Sequence, residues 1–160
     1  MRDSPTWGSH IPVLIRAMEI TSGPVLELGL GISSTPLLHA LCSHRDRMLV
    51  SYEDEKQYVD KFKRYPDKFH KIVLVNNWDD IDVNEYKWSV VLVDHKPEWR
   101  RIVEIERLAN NAEFLVVHDT ELEVNDEYRY DKIYHLFKYR FDYTKAKRHA
   151  TVLSNVREFI

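Results

Sequence analysis

Cysteine is almost missing: Cys42 is the single one in 160 residues. That excludes a disulfide framework and a cysteine-based zinc cluster within this chain. Only four glycines and six prolines occur, and they fall between periodic segments, so no flexible linker or low-complexity stretch divides it. No apolar run approaches the roughly 20 residues that span a bilayer. Tracts of five or more basic residues are also lacking, and the net charge is −3. Such a balance disfavours nucleic acid and anionic membrane surfaces as partners. The opening Met1–Trp7 has no apolar leader core, so a cytoplasmic location is the expectation.

What is present is ordinary for a globular domain: 44% hydrophobic and 31% charged residues. A chain of this length buries roughly two-thirds of its unfolded surface. We expect one domain over 1–160, with an N-terminal helical cap over 1–22 and a core over 24–155. Apolar spacing (Ile11, Leu14, Ile15, Met18) predicts a helix over 9–21, capped by Ser9. Short apolar runs predict strands at Val25–Leu28, Met48–Glu53, Lys71–Val75, Val90–Val93 and Phe114–Val117. Between them fall helices at 36–43 (Thr35 as cap, Pro36 in the first turn), after Glu53 through Phe62, and at 98–109. These runs are continuous rather than alternating, as expected of a parallel sheet covered on both faces. Tyr139–Tyr143 and 151–153 alternate better and predict a closing antiparallel hairpin. The order predicts an α/β Rossmann-like, doubly wound domain whose ligand sits at the carboxyl ends of the strands.

Residues 25–35 read Val-Leu-Glu-Leu-Gly-Leu-Gly-Ile-Ser-Ser-Thr. A buried strand passes through a glycine turn into a helix N-terminus, where backbone can approach a ligand and offer N–H donors. This stretch resembles the first motif of class I S-adenosylmethionine-dependent methyltransferases, and the element order of 24–155 is similar to theirs. The resemblance implies S-adenosylmethionine as cofactor. Gly29, Gly31 and Ser33 would line its amino-acid half, and Glu27 would face its ammonium directly or through water. Glu53, about twenty residues past the glycines, is placed to accept the ribose hydroxyls. Trp78 and Asp79 follow the third strand, where such enzymes hold adenine; the alternative for Trp78 is a core cap.

Acidic and imidazole groups also end the fourth and fifth strands: Asp94-His95 and His118-Asp119-Thr120. By resemblance, Asp94 belongs to the cofactor or to a metal. Asp94 and Asp119 together would offer oxygen ligands to Mg2+, although Thr120 stands where the family's third ligand, an asparagine, is expected. His95, His118 or Asp119 would be the catalytic base; the alternative for His118 is a structural histidine bonded to a backbone carbonyl. Asn110-Asn111-Ala112 replaces a Gly-Gly turn, and asparagine tolerates the left-handed conformation.

The expected function is methyl transfer to a hydroxyl of a small molecule. Two other readings stand beside it. One is a catalytically inert nucleoside-binding or assembly module. The other is a nicotinamide-dependent oxidoreductase, against which Ser34 occupies the position of the third glycine. The turn at 145–149 reads as solvated, and the tyrosine-rich 126–139 as a pocket wall or a helix covering the sheet. Trp7 and Pro12 suggest that the first helix covers the site or mediates a homodimer.

Overall fold

The computed structural model describes residues 8–159; Trp7 lies outside them. The chain runs α1 (Ile11–Glu19), β1 (Val25–Leu28), α2 (Ser34–His44), β2 (Leu49–Glu53), α3 (Lys56–Lys61), β3 (His70–Leu74), β4 (Trp88–Val93), α4 (Arg101–Leu108), β5 (Ala112–His118), α5 (Asn125–Tyr128), β6 (Tyr139–Tyr143) and β7 (Ala150–Ser154). One seven-stranded sheet has the order β3-β2-β1-β4-β5-β7-β6. Its first five strands are parallel, and β7 joins β5 and β6 antiparallel. This is the doubly wound sheet with a closing hairpin that the element order predicts.

Every residue of β1, β2 and β4 is buried, because apolar layers cover both faces. On one face Val25, Leu49, Val90, Leu92, Phe114 and Val116 pack against Val13, Leu14, Ala17 and Met18 of α1 and Leu38 and Cys42 of α2. On the other, Leu26, Leu28, Val50, Val91 and Val93 meet Trp78, Ile105, Leu108, Tyr128 and Tyr130. Alternation within each strand sends neighbours to opposite layers. Among the described residues no helix is long and apolar enough to cross a membrane.

Register decides where the site forms. Leu28 pairs with Tyr52 on one side and Val93 on the other, and Val93 pairs with Val117. The residues that follow these four, Gly29, Glu53, Asp94 and His118, therefore emerge in one row across the carboxyl rim. The row straddles β1 and β4, where the strand order reverses and α/β sheets open a crevice.

Several local expectations are corrected. Ser9 caps nothing: His10 holds the N-cap position without a side-chain bond, and the Ser9 hydroxyl goes instead to His118. Thr35 lies inside α2, whose N-cap is Ser33. The predicted 98–109 helix splits into a 3-10 turn at Glu98–Arg100 and α4. The turn before β5 needs no left-handed asparagine, since the positive-φ non-glycine residues are Asp46, Asp119 and Arg129. Asn111 works through its side chain, donating to the carbonyls of Val83 and Tyr86.

Gly29 is where backbone conformation matters most. Its φ is +92°, and a Cβ there would lie 2.7 Å from the Asp94 carbonyl oxygen and 2.7 Å from His95 Cα. Both are backbone atoms of the neighbouring strand end and cannot swing aside. Gly29→Ala should therefore lower stability by about 1–3 kcal/mol, read as a fall in the urea midpoint. An unchanged midpoint would show that the β1–β4 junction yields.

Candidate functional site

A cavity of about 610 Å3 opens over the carboxyl rim. The β1–α2 turn forms one wall with Gly29, Leu30, Gly31, Ile32, Ser33 and Ser34, and Glu53 and Tyr58 continue it. Asp94, His118, Asp119 and Arg148 stand at the other end. The turn is held by its own side chains. Gly31 N–H donates to Thr35 Oγ1 at 2.9 Å, and Leu30 N–H donates to Glu53 Oε2 at 2.9 Å. A Cβ at Gly31 would meet Ser34 Oγ at 2.9 Å, so a side chain there would press on the hydroxyl that Ser34 donates to Glu27.

Glu53 Oε1 accepts from the N–H groups of Asp54 and Glu55, each at 2.9 Å. With Leu30, three donors take three of the roughly four lone-pair positions of a carboxylate. Room remains for one ribose hydroxyl rather than two. Burial pushes the Glu53 pKa up to about 7, against the pull of the Glu55 and Leu30 N–H groups.

At the other end the organising group is Arg101, the first residue of α4 and 3% exposed. Its Nε donates to the His95 carbonyl at 2.7 Å, Nη1 to the His118 carbonyl at 3.2 Å, and Nη2 pairs with Asp94 Oδ1 at 3.0 Å. Nη1 also lies 3.4 Å from Asp119 Oδ2. The guanidinium thus bridges both carboxylates that sequence reading offered to Mg2+. A buried cation therefore already pairs with both of them.

His118 sits between partners. Nδ1 lies 3.2 Å from Asp94 Oδ1 and 3.4 Å from Asp119 Oδ2, and Nε2 lies 2.9 Å from Ser9 Oγ. Burial disfavours the charged ring, but the Asp94 bond and the two carboxylate charges outweigh it and raise the pKa. For Asp94, burial opposes ionisation, yet Arg101 and His118 hold its carboxyl well below the usual range. Asp119 has a φ of 57°, a strained conformation for a non-glycine residue at a site.

Four expected positions do not reach the cavity as active groups. Glu27 is 0% exposed and faces α2, because alternation puts it on the same face as Val25. Oε1 accepts from Ser34 and Thr35 (2.7 and 2.9 Å), and Oε2 from Ser51 at 2.6 Å. It braces the glycine turn from beneath instead of meeting the ligand. Trp78 is turned into the core by a 3-10 turn, its ring 4.4 Å from that of His95. Asp79 is exposed and paired with Arg100 at 2.6 Å. Neither lines the cavity. The His95 side chain is fully shielded, with Nε2 3.0 Å from Glu104 Oε2; burial lowers its pKa, and it stands as a hydrogen-bonded ring of the core.

Sequence reading missed His10, Arg101, Tyr128 and Arg148, all cavity residues. Arg148 shows that the 145–149 turn is not merely solvated, since it reaches Glu121 and lies 3.8 Å from Asp119. In the tyrosine-rich segment, Tyr128 and Tyr130 stack at 5.3 Å. The Tyr128 hydroxyl donates to Asp119 and that of Tyr130 to the His118 carbonyl. A pocket wall is therefore the arrangement found, built from short turns.

No protein-family model and no curated protein matches the sequence. Solved structures do match. The chain is similar to a methyltransferase from Pyrococcus furiosus, with 13% identity, a TM-score of 0.61, and coverage of 92% of this chain and 83% of that one. It is similar to the N-methyltransferase NodS from Bradyrhizobium japonicum, solved with S-adenosyl-L-homocysteine, at 10% identity, TM-score 0.63, and 94% and 87% coverage. It is also similar to a Streptococcus pneumoniae protein assigned as a tRNA (m1A22) methyltransferase, at 14% identity, TM-score 0.58, and 91% and 70% coverage. The fold is the one these methyltransferases share.

The Glu27 cage gives a prediction about pH. Burial lifts the Glu27 pKa from 4.5 to about 7 despite its three hydroxyl donors. An acid with a raised folded pKa binds more protons folded than unfolded, so its contribution to stability falls as pH rises from 4.5 to about 7. Glu27→Gln removes that titration. Urea midpoints across this window should fall less with rising pH in the variant than in the parent chain. Parallel profiles would remove Glu27 as a titrating group.

Proposed function

We propose that the chain is an S-adenosylmethionine-dependent methyltransferase that methylates a hydroxyl of a small molecule. The observation that carries this is the single row of Gly29, Glu53, Asp94 and His118 at the reversal point of the sheet, opening into one cavity. The donor set suits the cofactor. Glu53 accepts a ribose hydroxyl, the Gly31–Ser34 turn receives the carboxylate end, and anionic Asp94 favours a cationic group. When bound, the cofactor supplies a methyl carbon on a positively charged sulfur, already activated for in-line displacement.

The chain's own task is then alignment and handling of one proton. Tyr128 and Arg148 bound the acceptor end. The Asp94–His118–Asp119 cluster orients the acceptor oxygen and takes up its proton. Arg101 holds the two carboxylates in place and keeps Asp94 ionised, so this end needs little rearrangement on binding.

The match to a tRNA methyltransferase keeps nucleic acid among the acceptor classes, and net charge alone does not remove it. The small-molecule reading is supported by the cavity's mixed charge, with Glu53, Asp94 and Asp119 set beside Arg101 and Arg148. A phosphate backbone favours surfaces dominated by cations.

Isothermal calorimetry tests the reading. S-adenosylmethionine should bind and NADH should not. Glu53→Ala, checked for fold by circular dichroism, should weaken binding by about 1.5–3 kcal/mol, or roughly 10- to 150-fold, as expected for a hydrogen bond to a charged group. Unchanged affinity in the variant, or preferential binding of NADH, would overturn it.

A further inference from the structure

His10 is unexplained by methyl transfer. It lies just before α1, is 1% exposed, and neither ring nitrogen has a partner among the described residues. Leaving a buried polar atom unpaired costs about 1–3 kcal/mol, so such an atom in a native structure calls for a reason. The residue lines the cavity, and its ring meets that of His118 edge-on at 4.6 Å. One ligand atom each from His10, Asp94 and His118 lies within 4.8 Å of the others.

We infer that His10, Asp94 and His118 form a binding site for a divalent first-row transition-metal ion. Two imidazoles and one carboxylate suit Zn2+, Co2+, Ni2+ or Fe2+, whereas Mg2+ and Ca2+ prefer oxygen alone. The spacing agrees. His118 Nδ1 and Asp94 Oδ1 are 3.2 Å apart, the separation of adjacent ligands on an ion with bonds of about 2.0–2.2 Å. The His10 ligand atom lies within 4.8 Å of both, so a small movement of its ring brings it onto the same ion.

Outer partners are already in place. Ser9 occupies Nε2 of His118, which leaves Nδ1 for the ion, and Arg101 holds the Asp94 carboxylate. Metal-binding histidines and carboxylates are commonly oriented in this way. This ligand set differs from the Asp94–Asp119 pair offered to Mg2+, since it replaces Asp119 with two nitrogens.

Three protein ligands leave positions for water or an acceptor oxygen. The use of the ion rests on the methyl-transfer reading, though its binding does not. Held there, it would withdraw charge from the acceptor oxygen, and the departing proton would pass to the Asp119 carboxylate.

The test uses the full chain stripped with a chelator. Co2+ is followed by its visible absorption, and Zn2+ and Mg2+ by calorimetry. One Co2+ or Zn2+ should bind per chain, at least about 100-fold tighter than Mg2+. His10→Ala, with an unchanged circular dichroism spectrum, should weaken Co2+ binding by more than about 100-fold, beyond the usual cost of losing an outer partner. Absence of cobalt bands in the parent chain would overturn the inference. So would undiminished binding in His10→Ala, which would locate the ion elsewhere, such as between His39 and His70, whose Nδ1 atoms lie 3.2 Å apart. S-adenosylmethionine binding by the metal-free chain is measured separately, so failure of the metal site and failure of the methyltransferase reading are told apart.

Discussion

The buried guanidinium of Arg101 is the constraint on which the acceptor end depends. It belongs to the first turn of α4, yet it binds the ends of β4 and β5 at once through the His95 and His118 carbonyls and the Asp94 and Asp119 carboxylates. Two carboxylates around one site would otherwise repel each other. With Arg101 between them Asp94 stays anionic. His118 is then oriented by a fixed negative charge, and the stacked tyrosines close over the guanidinium, Tyr128 with Arg101 4.9 Å from its ring centre. Loss of one member of such a buried set is costly because it strands the rest.

The glycine end is built on the same physical logic with hydroxyls in place of a guanidinium. Glu27 cannot be solvated where it lies, so Ser34, Thr35 and Ser51 supply its donors. Thr35 then accepts from the Gly31 N–H, and Glu53 takes that of Leu30. A buried acid beneath the turn and a second acid beside it fix the shape of the cradle before anything enters. Both ends of the cavity are therefore preorganised, which lowers the ordering cost of binding.

Much of this was legible in the residues. The strands are short apolar runs with little choice of partner, so their order and their rim could be read with boundaries off by a residue or two. Gly29, Gly31, Glu53, Asp94 and His118 sit at or directly beyond strand ends, where position in sequence nearly fixes position in space. Trp78 and Asp79 lie four and five residues past β3, and the direction of that connection is set by tertiary packing that no local pattern encodes. Glu27 was open to a better reading, since it alternates in step with Val25 toward α2. Arg101 and His10 carried no local signal. One looks like any helix-starting arginine and the other like a residue just after a predicted cap, and only the fold brings them to the rim.

The most direct test of the central claim is a crystal structure of the chain grown with S-adenosyl-L-homocysteine. The account predicts density in the rim cavity, with the ribose against Glu53, the amino-acid end against the Gly31–Ser34 turn and the sulfur facing the Asp94–His118 end. Density at any other place, or an empty rim cavity in crystals grown at saturating ligand, would contradict it.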